Sequence, residues 1–341
     1  MRSKYNKINK LFQYWLSISL LLVFLIIIVG GLTRLTNSGL SITEWELFTG
    51  ILPPLNDKAW ELYFNHYKLI PQYKIMNFDM TLSEFKVIFY WEYFHRNLAR
   101  LVGLFFLIPL IYFYFSRSIE NKYLKVCYII FFLIVVQGII GWFMVKSGLI
   151  NDVTVSHYRL SIHLSTAIII ISSLFWLIRN INLKTNKTFF NFSNYNFPFQ
   201  ALIFLIFIQI IFGAFVSGLD AGQIYQTWPL MGEKYFPNDY PIGLNSTLFD
   251  FDSHSLVQFY HRNLAYIIVI YVLSLTFYIY KKKITYLFKP LKILLFFLFL
   301  QAILGIFTLL SGLNIYLASI HQITSVLLVF SALNLYYFRA K

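Results

Sequence analysis

The pentapeptide His-Arg-Asn-Leu-Ala occurs at 95–99 and again at 261–265, and no other feature limits the possible folds of this chain so strongly. Each copy opens a long apolar run. Each follows an aromatic patch, Trp91, Tyr93 and Phe94 in the first and Phe259 and Tyr260 in the second. Further matches follow in the same order. Segment 137–149 (QGIIGWFMVKSGL) pairs with 301–313 (QAILGIFTLLSGL), and His163 in SIHLST pairs with His321 in SIHQIT. The three offsets are 166, 164 and 158 residues, so one unit is duplicated and its loops have drifted in length. A duplicated unit is expected to fold the same way twice.

The solvent of that fold follows from the apolar runs. Hydrophobic residues make up 58% of the chain and charged residues 12%, with a mean hydropathy of +0.65. A soluble domain carries about 25% charged residues. Eight runs approach the roughly 20 residues needed to cross a bilayer: 12–29, 96–115, 124–145, 160–178, 200–218, 262–280, 291–310 and 317–338. Lys and Arg collect in alternate connections: the amino terminus (Arg2, Lys4, Lys7, Lys10), the loop with Arg117, Lys122 and Lys125, the loop with Arg179, Lys184 and Lys187, the loop with Lys281, Lys282, Lys283 and Lys289, and the tail with Arg339 and Lys341. The positive-inside rule then places both termini in the cytoplasm. Four spans per repeat is an even number, so both copies enter the membrane in the same sense, related by a pseudo-twofold axis along its normal. The expected fold is an all-α polytopic membrane protein of eight transmembrane helices, built as two tandem four-helix bundles over 1–180 and 181–341. Two outward loops are long, 31–94 and 219–260, and loops of that length usually carry function or structure of their own.

Several function classes drop out. The net charge of +14 invites a nucleic-acid partner, but the basic residues sit in short connections between spans, where topology accounts for them. The lone cysteine, Cys127, lies inside an apolar run, and there is no C-x-x-C-H. Neither an internal disulfide nor covalently attached haem is expected. The first run is followed by no small-residue cleavage site and reads as a helix rather than a signal peptide. A typical organellar transit peptide is also absent, which points to a bacterial inner membrane.

Of seven histidines, four occupy repeat-related places: His95, His163, His261 and His321. On this topology they lie near the outward ends of helices two, four, six and eight, so each bundle offers two imidazoles at similar depth. Ionisable groups inside a membrane are costly and mark functional sites. Bis-imidazole ligation of haem iron suits the pattern, because neutral imidazole is a good iron ligand and the flat apolar macrocycle fits between helices. Arg34, Arg96, Arg100 and Arg262 lie near the same face, where propionates would sit. A single intramembrane His is more often a packing residue; four paired by duplication are not. His66, His157 and His254 lack repeat partners and read as surface residues, with His157 a reserve ligand. One asymmetry stands out. Glu92 precedes His95 by three residues where Gln258 precedes His261. An i, i+3 pair shares a helix face if the helix extends that far. Glu92 then serves either as an acidic group for chemistry at one site, or as a loop carboxylate paired with Arg96 or Arg100.

At these residues the chain resembles the haem A synthase family. The resemblance covers nearly the whole chain and is carried by 30–45 (GGLTRLTNSGLSITEW), 50–54 (GILPP), 67–73 (YKLIPQY), 84–96 (EFKVIFYWEYFHR), 220–231 (DAGQIYQTWPLM), 257–262 (VQFYHR) and His321-Gln322. A first outward loop without cysteines is similar to the proteobacterial and mitochondrial branch, so the loop disulfide of another branch is not carried over. Ala99 stands where the family usually has glycine, and Gln226 where it commonly has asparagine. The resemblance implies that His261 and His321 ligate a resident haem b, that His95 and His163 bracket the substrate haem O, and that Glu92 is the essential acidic residue. The implied reaction oxidises the C8 methyl of haem O to the formyl group of haem A for cytochrome oxidase. Implied partners are haem O, membrane lipid, haem O synthase and oxidase assembly factors. Homo-oligomerisation stays open, and the haem sites are expected near the periplasmic side. Two other classes compete: a non-catalytic dihaem b-type electron carrier with two equivalent sites, and a transporter, since parallel repeats also occur there.

Overall fold

A computed structural model describes residues 2–45, 49–149, 153–240 and 247–340. The basic side chains expected at Arg2, Lys4 and Lys7, and Lys341 in the tail, lie outside what the structure describes, as does the side chain of Ser147. Ten α-helices follow one another: α1 (Arg2–Leu35), α2 (Asp57–Lys68), α3 (Pro71–Met76), α4 (Leu82–Ser116), α5 (Asn121–Gly148), α6 (His157–Asn182), α7 (Phe197–Gly218), α8 (His254–Lys281), α9 (Phe288–Leu310) and α10 (Ile315–Arg339). Eight of them, all but α2 and α3, are long and apolar enough to cross a membrane. An α-helix closes its backbone hydrogen bonds within the segment, which lipid requires of any span. Many large apolar side chains on these helices point outward, among them Leu21, Ile108, Phe132 and Ile270. Lipid is their natural surround.

The chain divides into two compact units, Met1–Asn182 and Leu183–Lys341. Within the first, α1 packs on α4 and α6, and α5 on α4 and α6, which closes four helices into a ring. Within the second, α7 packs on α8 and α10, and α9 on α8 and α10.

The second span begins earlier than its hydropathy suggests. The first long loop was expected to run to residue 94, yet α4 starts at Leu82. A capping box sets that start: the Thr81 hydroxyl accepts from Glu84 N at 3.4 Å, and Thr81 N donates to Glu84 Oε2 at 2.8 Å. Such reciprocal bonds satisfy two of the orphan donors at a helix start. His95 therefore sits well inside its helix rather than at its mouth. The later loop is likewise shorter than 219–260, because α8 starts at His254 with Ser253 as its cap, the Ser253 hydroxyl accepting from Leu256 N at 3.4 Å.

What remains of the first long loop is a small helical cap with its own core. Leu40, Ile42, Trp60, Phe64, Tyr67 and Ile70 pack on Phe85 and Phe89 of α4. Trp60 meets Phe89 edge-on with ring centroids 4.9 Å apart. Tyr67 is fully buried, its hydroxyl donating to Gln72 Oε1 at 3.0 Å and accepting from Asn77 Nδ2 at 2.7 Å. Burial pushes the Tyr67 pKa up, against the lowering pull of the Asn77 hydrogen bond. Gln72 Nε2 in turn donates to Asn37 O at 3.2 Å, which ties α3 to the turn that ends α1.

Truncating a large buried aromatic costs about 3–5 kcal/mol. Trp60→Ala is therefore expected to raise amide hydrogen exchange across 57–76 while α5 and α6 stay protected. Unchanged protection of 57–76 would show that the cap does not depend on this core.

Candidate functional site

Each sequence-predicted histidine faces a glycine on the neighbouring helix of its own unit. A Cβ added to Gly30 on α1 would stand 2.9 Å from His95 Cε1 on α4, and one on Gly141 of α5 would stand 3.1 Å from His163 Cε1 on α6. In the second unit, a Cβ on Gly213 of α7 would lie 3.2 Å from His261 Cε1 on α8, and one on Gly305 of α9 would lie 2.9 Å from His321 Cε1 on α10. Small residues let helices approach closely in membranes. Here they leave room for an imidazole ring lying against the backbone of the facing helix.

The structure brings the histidines together in pairs. The rings of His95 and His163 have centroids 6.5 Å apart at an interplanar angle of 70°. A metal atom bound at about 2 Å by one nitrogen of each ring needs centroids roughly 6 Å apart, so the spacing admits one iron. His261 and His321 lie within electrostatic reach of each other inside the second unit. Nδ1 of His95, His163 and His321 is buried without a hydrogen-bond partner. A buried polar atom left unpaired costs about 1–3 kcal/mol, so these rings are not there as satisfied packing residues. Among the described residues no three His, Cys, Asp or Glu converge on a metal position. Two imidazoles per pair is the number an iron would need where a macrocycle supplies its other four ligands.

Three glutamines missed at the sequence level stand beside these rings. Gln137 Nε2 on α5 donates to His163 O at 3.0 Å. Gln209 Nε2 on α7 donates to His261 O at 2.9 Å and lies 3.2 Å from His261 Nδ1. Gln301 Nε2 on α9 lies 3.3 Å from His321 Nε2, and Gln301 Oε1 accepts from the Thr324 hydroxyl. Each glutamine precedes a seat glycine by four residues, so the two share a helix face. The pattern Gln-x-x-x-Gly was legible at 137–141, 209–213 and 301–305. Two of these patterns open the duplicated segments 137–149 and 301–313. On α1 the corresponding residue before Gly30 is Ile26.

Glu92 lies on α4 one turn before His95, on a helix that does extend that far back, and is buried. It is not a loop residue. Its Oε1 accepts from Arg96 Nε at 3.0 Å and Nη2 at 2.6 Å, and its Oε2 from the Ser41 hydroxyl at 2.7 Å and Ile42 N at 2.9 Å. Arg96 also donates to Ile42 O at 2.8 Å and Glu44 O at 3.2 Å. The pair clamps segment 41–44 onto α4. In the second unit Gln258 Nε2 donates to Tyr225 O at 2.9 Å, while Arg262 donates to the same carbonyl at 2.8 Å and to Thr227 O at 2.8 Å. A neutral amide and an arginine do there what an ion pair does in the first unit. Arg96 and Arg262 are thus committed to loop carbonyls. Arg34 and Arg100 donate to Asn37 Oδ1 at 2.7 Å and Asn97 Oδ1 at 3.2 Å.

The other three histidines stay apart from the pairs. His66 on α2 approaches Glu44 at 3.5 Å, and His254 is exposed at the start of α8. His157 differs from its surface reading: as the first residue of α6 it is buried, with its ring 4.0 Å from that of Tyr158.

Comparison with known proteins sharpens the picture. Residues 13–333 match the model of the COX15-CtaA family, described as cytochrome oxidase assembly protein. That range takes in both histidine pairs and reaches into all eight long helices. The chain belongs to this family. It is similar to a protein named Heme A synthase from Pelagibacter ubique (strain HTCC1062), with 49% identity over 94% of each chain. Proteins of the same name from Rickettsia canadensis (strain McKiel) and Flavobacterium johnsoniae are 41% and 39% identical, over 94% and 95% of this chain and 95% and 96% of theirs.

Removing one partner of a buried ion pair costs about 3–5 kcal/mol, because the remaining charge is left uncompensated. Arg96→Ala is therefore expected to free segment 41–44, read as faster proteolysis of the α1–α4 connection, and to lower thermal stability in detergent. Arg262→Ala leaves no buried charge behind and is expected to cost less. Equal losses in the two variants would contradict the role given to Glu92.

Proposed function

We propose that this chain is a haem A synthase, an oxidoreductase of the inner membrane that converts the C8 methyl of haem O into the formyl group of haem A. The observation that carries the reading is the pair of imidazoles at 6.5 Å with unpaired buried ring nitrogens, in a chain 49% identical over its length to a protein of that name. Two pairs imply two haem positions. His261 and His321 hold a resident haem b, and His95 and His163 clamp the iron of the substrate. Bound in the second unit, haem b supplies a one-electron relay.

Two successive two-electron oxidations, each adding one oxygen at the oxidation level of water and passing its electrons to an acceptor outside the chain, take the methyl to an alcohol and then to a hydrated aldehyde, which loses water to leave the formyl group. The protein's part is positioning and electrostatics. His95 and His163 fix the macrocycle, while the Glu92–Arg96 clamp holds segment 41–44 across α4. With its carboxylate oxygens taken up by Arg96, Ser41 and Ile42, Glu92 offsets the Arg96 charge, so positive charge developing on the substrate meets a neutral pair rather than a lone cation. Gln258 in its place gives the second unit no such offset, which favours one reactive site and one relay over two equivalent carriers. Both termini lie in the cytoplasm, the haem sites lie toward the periplasmic side, and haem O synthase and oxidase assembly factors are the expected neighbours.

Two results follow. His261→Ala or His321→Ala is expected to remove the resident haem b from the absorption spectrum, and unchanged haem content in both would refute that assignment. Glu92→Gln is expected to retain fold and haem binding but to lower haem A formation by at least a hundredfold, measured by chromatography of extracted haems. Wild-type turnover would take Glu92 out of the reaction.

A further inference from the structure

The two units carry different net charge beside matching histidines. Arg96 and Arg262 each follow a histidine directly, and each lies within electrostatic reach of that imidazole. Both reach loop carbonyls, beside a side chain one helical turn earlier, Glu92 or Gln258. In the first unit the two side chains join as an ion pair, with Arg96 Nε donating to Glu92 Oε1 at 3.0 Å. In the second unit the corresponding atoms, Arg262 Nε and Gln258 Oε1, are both buried and unpaired among the described residues. The Arg262 guanidinium bonds instead to the carbonyls of Tyr225, Thr227 and Leu230. Among the described residues no carboxylate forms a salt bridge with it. Asp239 meets Tyr225 at its hydroxyl, the other end from the carbonyl that Arg262 holds, and is exposed, where water and salt screen it. Arg262 is therefore a half-buried cation with no counter-charge in contact.

We propose that Arg262, left uncompensated because residue 258 is glutamine, raises the reduction potential of the haem held by His261 and His321 and makes it the better electron acceptor of the two. Ferric bis-imidazole haem carries one positive charge more than the ferrous form, so a fixed cation nearby favours the ferrous form. Two unit charges about 10 Å apart at an effective dielectric of about 20 shift an equilibrium roughly tenfold. In the first unit Glu92 cancels the Arg96 charge, and that push is absent. The glutamine at 258 is thus what separates a relay from a reactive site in charge. This rests on the reading of His261 and His321 as ligands of a resident haem.

Full-length protein is purified with its haem, and the haem that His261→Ala removes is followed by absorption through a potentiometric titration. Gln258→Glu gives Arg262 the partner that Arg96 has. It is expected to lower the reduced-to-oxidised ratio at a fixed potential roughly tenfold, a fall of about 59 mV for one electron. Arg262→Gln removes the charge and is expected to lower the ratio by a similar factor, while Arg262→Lys keeps the charge and stays within twofold of the wild type. Gln258→Leu loses the bond to Tyr225 O but leaves the charge alone, and is expected to stay within twofold too. A purely structural role for residue 258 would make Gln258→Leu shift the ratio as far as Gln258→Glu. That result would overturn the proposal, as would ratios within twofold of the wild type in both Gln258→Glu and Arg262→Gln. If Gln258→Glu does not hold haem, Arg262→Gln against Arg262→Lys decides: a lower ratio in the first supports the proposal and equal ratios overturn it. If His261→Ala keeps all its haem, the resident-haem reading fails and this proposal with it. If that variant loses haem and the charge variants titrate like the wild type, only the role of Arg262 falls.

Discussion

An imidazole ring lying against bare helix backbone is the contact on which the rest of this molecule depends. Gly30, Gly141, Gly213 and Gly305 each leave the space that a Cβ would take from a histidine on the next helix. Interiors are packed too tightly to absorb a displaced ring at no cost, so these four approaches set how near the paired helices lie. They also set where the rings point. The hydrophobic effect cannot do this inside a bilayer, where lipid is as apolar as leucine. Close contact and a few hydrogen bonds take over, and both are concentrated at the histidines.

Around that contact each unit builds a second layer in its own way. The first uses a buried ion pair, Glu92 with Arg96, to hold 41–44 against α4. The second uses Gln258 and Arg262 on the carbonyls of Tyr225 and Thr227. The job is the same and the charge differs. Retaining an ion pair where an amide suffices points to a use for the charge itself, since a buried pair is weak evidence for stability alone.

Much of this was legible in the sequence. The eight spans follow from apolar run length, and the four histidines follow from the duplication, because one repeat singles out what the other confirms. The start of α4 was missed although its capping box, Thr81 to Glu84, is visible in the sequence. The segment between that box and His95 carries Glu84, Lys86 and Glu92, so it does not read as a span. The partners of Glu92 were beyond reach, since Ser41 and Ile42 are some fifty residues away and only the folded loop brings them back. The glutamines are the more instructive miss. Their spacing to glycine is local and repeated, but a Gln-x-x-x-Gly carries no meaning until the facing helix shows a histidine there.

The central claim is that one imidazole pair holds a resident haem and the other a substrate haem. Extraction and chromatography of the haems bound to full-length protein, made in cells that also make haem O, tests it most directly. The account predicts haem b together with haem O or haem A, in near-equal amounts. Haem b alone at two per chain would contradict it, because two equivalent resident haems belong to an electron carrier.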